Sequence, residues 1–533
     1  MKNVTFYDEH ESELQRHHIA PSGATYPMLK VGLEIHTQLN TATKLFAAVA
    51  NPTSNLALQP NSTASFFDLG LPGTQPTISP QCIHSALKLA AALNCNISSH
   101  STFDRKHYFY GDQPLGYQIT QHYHPIAQNG SISLLQRHHQ RLTRDVTARI
   151  MQLQLEQDTG RTLYHSTNTS KAFIDYNRAN IPLVEMVTMP DFQHVEEVRA
   201  FLQTYVKLVQ DLQVCTGDLE SGAIRVDVNV NVGAHPRVEI KNLPTISAIV
   251  NAIRFEEKRQ KNIEEIDLST ITGVETRGWD GKRTFRLRSK ESAVDYRYVP
   301  DMELPALKFD IPALLPQLKE TLPLAPHDAL DALMSQHGIS ARDAKVLHNN
   351  ASLCTYFQQC WSQLQNVPKA QGKLINWLVH ELLGALTKSE IPFSASVIDS
   401  GCFTQLISAV ERGDITKPNG KLILLHLVNN SEDQRKPILE LAKEFNMVAQ
   451  KSTGTGIVTE NGSHNGNNSG AGVINADTIV AEVIMQNASV VNEIINKGKT
   501  QKLNFLLGQC MRRTGGNVQP SVIREKLESA LKK

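Results

Sequence analysis

Arg225-Val226-Asp227-Val228-Asn229-Val230-Asn231-Val232 alternates apolar and polar residues without a break. Such alternation predicts a half-buried strand, because successive side chains leave a strand on opposite faces. The four valines form one face, and Arg225, Asp227, Asn229 and Asn231 form the other. A face that only meets water is usually Lys, Glu and Thr; a row of Asp and Asn offers fixed oxygens and amides. Val31-Gly32-Leu33-Glu34-Ile35-His36-Thr37-Gln38-Leu39 repeats the pattern. Leu33, Ile35 and Leu39 go one way, and Glu34, His36 and Gln38 the other. A carboxylate and an imidazole two residues apart on one face can share a metal ion. For this strand alone, a solvated sheet face explains the pattern as well. Together the two strands predict a sheet whose polar side lines a site.

Two further carboxylates are candidates for that site. Glu156 lies in Leu155-Glu156-Gln157-Asp158, and Glu185 in Pro182-Leu183-Val184-Glu185-Met186-Val187. Glu185 stands inside an apolar run, where an unpaired charge is costly. A buried salt bridge is the competing explanation. Arg105 and Lys106 lie in a segment dense in charge, His and Tyr (Phe103 to Pro114), and could hold phosphate. Solvated charges at a strand end are the alternative. Trp279, Tyr296 and Tyr298 interleave with Arg277, Lys290 and Arg297, which suits single-stranded nucleic acid or an ordinary sheet edge.

A chain of 533 residues has room for three or four domains. Helical periodicity predicts helices over 81–94, 191–213 and 245–262, the second capped by Asp191 and buried through Val198, Phe201, Leu202, Tyr205, Val209 and Leu212. Residues 128–170 read as a strand pair whose basic hairpin (Arg137, His138, His139, Arg141) is a surface loop. Prolines punctuate a shift near residue 300, and beyond about Leu318 the pattern is mostly helical. Residues 452–472 are rich in Gly, Asn and Ser and lack a phosphate-loop pattern. No apolar run reaches the ~18 residues of a membrane span. Seven cysteines without a CxxC pair fit neither a disulfide scaffold nor a zinc site, and point to a reducing compartment. The N-terminal twenty residues carry Asp8, Glu9, Glu11 and Glu13, unlike an acid-poor transit peptide. From Lys497 to Lys533 there are nine Lys or Arg against two Glu, so Lys502, Arg512 and Arg513 are candidates for gripping nucleic acid by its backbone.

Several of these stretches, taken together, resemble one family. Val31 to Leu39 with Lys44-Leu45-Phe46, Leu69 to Gly73, Phe103 to Gln121, Asn177 to Glu185, Glu220 to Val232, Val238 to Leu243 and Thr276 to Pro300 are similar to the B subunit of the glutamyl-tRNA(Gln)/aspartyl-tRNA(Asn) amidotransferase. The resemblance runs from about residue 28 to the C-terminus. It implies an α+β fold: a cradle-shaped mixed α/β catalytic domain with an antiparallel sheet (28–305) after an N-terminal extension (1–27). A helical linker domain (306–380) and a helical tRNA-binding tail (381–533) would follow. It also implies a reaction. ATP and Mg²⁺ phosphorylate the side-chain carboxylate of glutamate misacylated on tRNA(Gln), and ammonia displaces the phosphate. Glu34, His36, Glu156 and Glu185 would then be catalytic and hold the metal, with Asp227 added. On physical grounds Arg105, Lys106, Arg225 and Lys241 are assigned to phosphate.

The sequence departs from the family's pattern in two places. Many bacterial members carry zinc cysteines where this chain has Ala47, Val49, Ser65 and Asp68, so no zinc is expected. Gln157 stands where Glu is common. These departures resemble a mitochondrial, fungal-like member, which implies the mitochondrial matrix. The chain shows no amidase signature, and Cys402 has no evident base. The resemblance therefore implies two partners, an amidase-type glutaminase (the A subunit) and a small third subunit. A non-catalytic tRNA-binding scaffold is the alternative, and a metal-dependent phosphohydrolase a weaker third. Glu34, His36, Glu156 and Glu185 occurring together argue against the scaffold.

Overall fold

The alternating segment after Met28 forms β1 (Leu29–Gln38), which pairs on both edges and so sits inside a sheet. The computed structural model describes residues 28–52, 58–164, 171–263, 274–289 and 296–449, and parts of 452–531. Residues 1–27, Lys290, Lys502 and most of 452–472 lie outside the described residues. After β1 come α1 (Pro80–Ala92), β2 (Asn96–Ile97), β3 (His100–Ser101), β4 (Asp104–His107), β5 (Tyr117–Thr120), β6 (Ala127–Leu134) and β7 (Val146–Gln157). They are followed by β8 (Arg161–Tyr164), β9 (Ala172–Asp175), β10 (Pro182–Thr188), α2 (Val195–Asp211), β11 (Ile224–Val232), β12 (Val238–Lys241) and α3 (Ile246–Ile263). The strands β13 (Glu275–Trp279), β14 (Thr284–Ser289) and β15 (Val299–Pro300) complete this part.

Nine strands form the main sheet in the order β14-β13-β12-β11-β1-β10-β7-β6-β2. All its pairings are antiparallel except β12 with β13. One face is the core. Val31, Leu33 and Ile35 are buried there with Val226, Val228 and Val230. α3 packs on β11, α2 on α3 and β6, and α1 on β6 and β7. Thr37 is the one polar residue of β1 on that face, and its hydroxyl is satisfied at 2.7 Å by Tyr205 of α2. The predicted stripe of α2 is buried throughout.

The start of α2 corrects the sequence reading. Asp191 does not cap it: its carboxylate accepts from the Arg149 backbone at 2.9 Å and from the Arg149 guanidinium at 2.7 Å. The helix begins at Val195, where Glu197 accepts from the backbone N–H of Gln193 and His194 at 2.7 and 3.2 Å. A carboxylate at the third helical position thus reaches back to the N–H groups just before the first turn, the reciprocal half of a capping box. The basic hairpin keeps Arg137 and Arg141 at the surface but buries His138; Arg137 and His138 are tied to Asp331 at 2.6 and 2.8 Å.

Lys44 and Asp68 form a fully buried ion pair at 2.8 Å beneath the Leu69–Gly73 turn. The ammonium also donates to the Tyr176 carbonyl, and Asp68 accepts from the Ser65 backbone. Asp68 is one of the four positions considered for zinc.

Two compact units divide after Ala332. In the second, the helices Ala341–His348, Ala351–Gln363, Ser400–Arg412 and Lys417–Asn429 pack pairwise in succession. Its last described helices, Ala476–Gln486, Leu503–Arg513 and Pro520–Leu531, share a core of Val480, Val483, Leu506, Cys510, Ile523 and Leu527. Among the described residues no helix is long and apolar enough to cross a membrane.

Candidate metal and phosphate site

Register decides which side chains meet on the open face. Glu34 lies opposite Asp227 of β11 and Val187 of β10, and His36 opposite Arg225 and Glu185. Glu185 in turn faces Gln154 of β7, and Leu183 faces Glu156. Directly opposed residues project from the same face of a sheet. Four strands thus gather their polar side chains on one surface, opposite the helices.

At its centre, ligand atoms of Glu34, His36 and Glu185 all lie within 4.8 Å of one another. His36 Nε2 is 3.8 Å from a carboxylate oxygen of Glu185 and 3.8 Å from one of Glu156. Burial raises the Glu34 carboxyl above its ordinary range, and Asp227 adds to the effect. Burial and the Glu34 charge push Glu185 up to about 7. Burial also raises Glu156, against the pull of Lys106. His36 is lowered by burial, so the neutral imidazole that ligates metals is the favoured form. Glu156 Oε1 accepts from Gln118 at 2.5 Å, while its Oε2 is buried and, among the described residues, meets no N–H donor. Carboxylates crowded together in this way lack enough positive charge of their own. Oxygen donors with one imidazole fit a small divalent cation such as Mg²⁺ or Mn²⁺.

Lys106 supplies one nearby charge. Burial works against its ammonium, but Glu156 and Glu185 raise it above its usual value. It lies over the Tyr296 ring, 4.9 Å from its centre. Gln118 of β5 is opposed to Lys106 of β4, so both point toward Glu156. Beside the cluster is a cavity of about 500 Å³, lined in part by His36, Glu156, Asp158, Arg225, Asp227 and Lys241. Arg225 donates to Asp158 at 2.7 Å, and its buried Nε has no acceptor among the described residues. Lys241 bonds Asp227 at 2.6 Å and Glu239 at 3.0 Å.

Residues 29–313, which hold this whole site, match the family model described as the GatB/GatE catalytic domain, and 355–531 match the model described as the GatB domain. The chain is 42% identical over 507 residues to the mitochondrial glutamyl-tRNA(Gln) amidotransferase B subunit of Komagataella phaffii, covering 94% of this chain and 98% of that protein. The protein of the same name from Scheffersomyces stipitis is 42% identical, with 94% and 95% covered. That of Eremothecium gossypii is 40% identical, with 96% of each covered.

The chain belongs to the GatB/GatE catalytic-domain family.

Within this family member the sequence-derived candidates take different places. Glu34, His36, Glu156, Glu185 and Lys106 converge. Arg225 and Lys241 line the adjoining cavity. Asp227 borders the cluster but is held by Lys241, outside the metal-competent triad. Arg105 is not brought in. Its guanidinium pairs with Asp301 at 2.6 Å and Glu303 at 3.1 Å and stacks over Tyr117. Adjacent residues of β4 face opposite ways, so Lys106 and Arg105 could not both reach one site.

The aromatic–basic run is likewise split. Trp279 packs on Phe255, and Arg277 is committed to Glu275 and Thr284. Tyr296 and Tyr298 instead surround Lys106. Sequence reasoning missed Gln118, Gln154 and the pairing of Asp158. The alternation Gln152-Leu153-Gln154-Leu155-Glu156 carried the signal for Gln154. Cys402 is buried, and burial pushes its thiol up to about 11, which removes it as a nucleophile.

Proposed function

We propose that this chain phosphorylates the side-chain carboxylate of a misacylated Glu-tRNA(Gln) with ATP and then converts it to the amide. The relatives carry that amidotransferase in their names, with the word mitochondrial, and the same substrate and compartment are inferred for this chain. The observation that carries the reading is the half-buried Glu34–His36–Glu185 cluster, crowded by Glu156 and overlooked by Lys106. A free carboxylate is a poor acyl donor and its acyl phosphate a good one. Phosphoryl transfer asks chiefly for positioning and for cations on the phosphate oxygens.

Glu34, His36 and Glu185 would hold Mg²⁺, and Glu156 adds an acceptor with a free oxygen. Bound there, the ion would neutralise phosphate charge and orient the transferred group. Lys106 and Arg225 offer further positive charge to the same oxygens. Gln154 and Gln118 hold the Glu185 and Glu156 carboxylates in place at 2.6 and 2.5 Å. A pure scaffold has no use for three carboxylates gathered around one imidazole. Ammonia would come from an amidase-type glutaminase partner, with a small third subunit completing the complex. Trapping γ-phosphoryl-glutamyl-tRNA with ATP, with the glutaminase partner inactivated, tests the reading. Absence of that species alongside normal tRNA binding would refute it.

The tail is assigned to the tRNA backbone. Arg512 and Arg513 are exposed at the end of the helix Leu503–Arg513; Arg513 pairs with Glu482 at 3.1 Å. Charge reversal at Lys502, Arg512 and Arg513 should raise the KM for tRNA by at least about tenfold, or ~1.4 kcal/mol. It should also flatten the salt dependence of binding. A folded triple variant with wild-type affinity and salt slope would remove the assignment.

Zinc is expected to be absent, since Ala47, Val49 and Ser65 offer no ligand and Asp68 is spent on Lys44. Elemental analysis should find far less than one zinc per chain; a stoichiometric amount would contradict this.

A further inference from the structure

Burial disfavours the Lys106 ammonium, while Glu156, Tyr298 and Glu185 favour it. Among the described residues it nevertheless forms an ion pair with neither carboxylate. Its Nζ lies instead over the Tyr296 ring, 4.9 Å from the centre. A lysine stem is long and turns freely, so nothing in Lys106 itself fixes this position. Left unrestrained, an ammonium beside two crowded carboxylates would close on them as an ion pair. That pair would consume the negative charge that a divalent cation needs and the positive charge that a phosphate needs.

Residues 296–298 supply a restraint. Tyr296 and Tyr298 meet edge to face at 6.1 Å, and the His122 ring stacks on Tyr298 at 3.9 Å, within 9° of parallel. An aromatic face attracts an ammonium without neutralising it. The segment is tied along β4. Val299 and Pro300 of β15 pair with Arg105 and Asp104. Further along, the His107 backbone N–H donates to the Tyr296 carbonyl at 2.9 Å. The His107 Nδ1 lies 2.7 Å from the Arg297 carbonyl and 3.3 Å from that of Tyr296. A carbonyl only accepts, so Nδ1 is the donor. Between the two tyrosines Arg297 takes φ +46°, a left-handed conformation that residues other than glycine seldom adopt. Backbone in so sparse a region persists only where its surroundings over-determine it. His107 does this at the turn that sets both tyrosine rings.

We propose that Tyr296, Tyr298 and His107 are positioning residues that hold the Lys106 ammonium off Glu156 and Glu185, a role that rests on the metal and phosphoryl-transfer reading above. Both charges then stay available until a cation and a phosphoryl group lie between them. Tyr296 acts through its ring face, and Tyr298 by packing against Tyr296. His107 acts at one remove, through the backbone of the Arg297 turn. If the tyrosine ring is lost, Lys106 closes on the carboxylates and competes with the metal ion for them.

The test uses the assembled complex and reads Mn²⁺ binding by electron paramagnetic resonance beside amide formation. Tyr296→Leu should weaken Mn²⁺ binding about tenfold, and raise the Mg²⁺ concentration for half-maximal amide formation to match. Tyr296→Phe, which keeps the ring face, should bind as the wild type does. His107→Ala should weaken binding in the same direction. His107→Asn, whose amide can still donate to the Arg297 carbonyl, should recover it. Removing the ammonium separates positioning from packing: with Lys106→Met in place, Tyr296→Leu should change Mn²⁺ affinity by less than about twofold. An equal loss with and without Lys106 overturns the proposal, as does wild-type binding by both Tyr296→Leu and His107→Ala. Should Tyr296→Leu not fold, the two His107 variants, each with and without Lys106→Met, decide the matter in the same way. If Glu185→Gln binds Mn²⁺ as the wild type does, it is the metal reading that fails.

Discussion

Glu185→Gln should lower ATP-dependent amide formation by at least about a thousandfold, or ~4 kcal/mol of transition-state stabilisation. Glu185 contributes one of the three converging ligand atoms and lies 3.8 Å from His36. An amide keeps the size and can still meet Gln154, but it removes the negative charge that holds a cation. Stability should move the other way. The carboxyl is pushed up to about 7 by burial and by Glu34, so ionising it opposes folding. The variant should therefore melt at or above the wild-type temperature without Mg²⁺, and the stabilisation that Mg²⁺ gives the wild type should disappear. This separates lost chemistry from lost structure. Binding of tRNA should hardly change, because the proposed grip lies in the other compact unit. Wild-type amide formation by the variant would sink the metal assignment.

The second large effect concerns the buried pair beneath the Leu69–Gly73 turn. Asp68→Ala should destabilise the first unit by about 3–5 kcal/mol, because it strands the Lys44 ammonium with no exposure. Burial alone already lowers the Lys44 pKa, and Asp68 is the main opposing influence. The Tyr176 carbonyl at 3.3 Å is too little compensation. Replacing both partners, Lys44→Met with Asp68→Leu, should recover most of the loss, since an apolar pair of similar volume needs no desolvation. Urea or thermal unfolding of the single and double variants checks this. A single variant within about 0.5 kcal/mol of wild type would show that water reaches Lys44.

The strands and helices of the first unit were legible because each carries an undisturbed period. Val226 to Val232 and Val31 to Leu39 alternate with period two, and the α2 stripe repeats at helical spacing. The family resemblance rests on the same stretches. Burial followed from pattern alone for Leu33, Ile35, Val228, Phe201 and Tyr205. The pattern also placed Glu34 and His36 on the open face without any knowledge of their neighbours.

Tertiary structure decided which neighbours those are. Register across β1, β10 and β11 brings Glu185 and Arg225 to His36 and Asp227 to Glu34, and no local spacing encodes it. It drew Arg105 to Asp301, 196 residues away, while Lys106 beside it reached the carboxylates. It gave Asp227 to Lys241, and made Asp68 the partner of a buried lysine. Periodicity is a property of one segment and reports which face a residue takes. Charge pairing belongs to several segments at once, so which ions remain available for chemistry emerges only when the strands are in register.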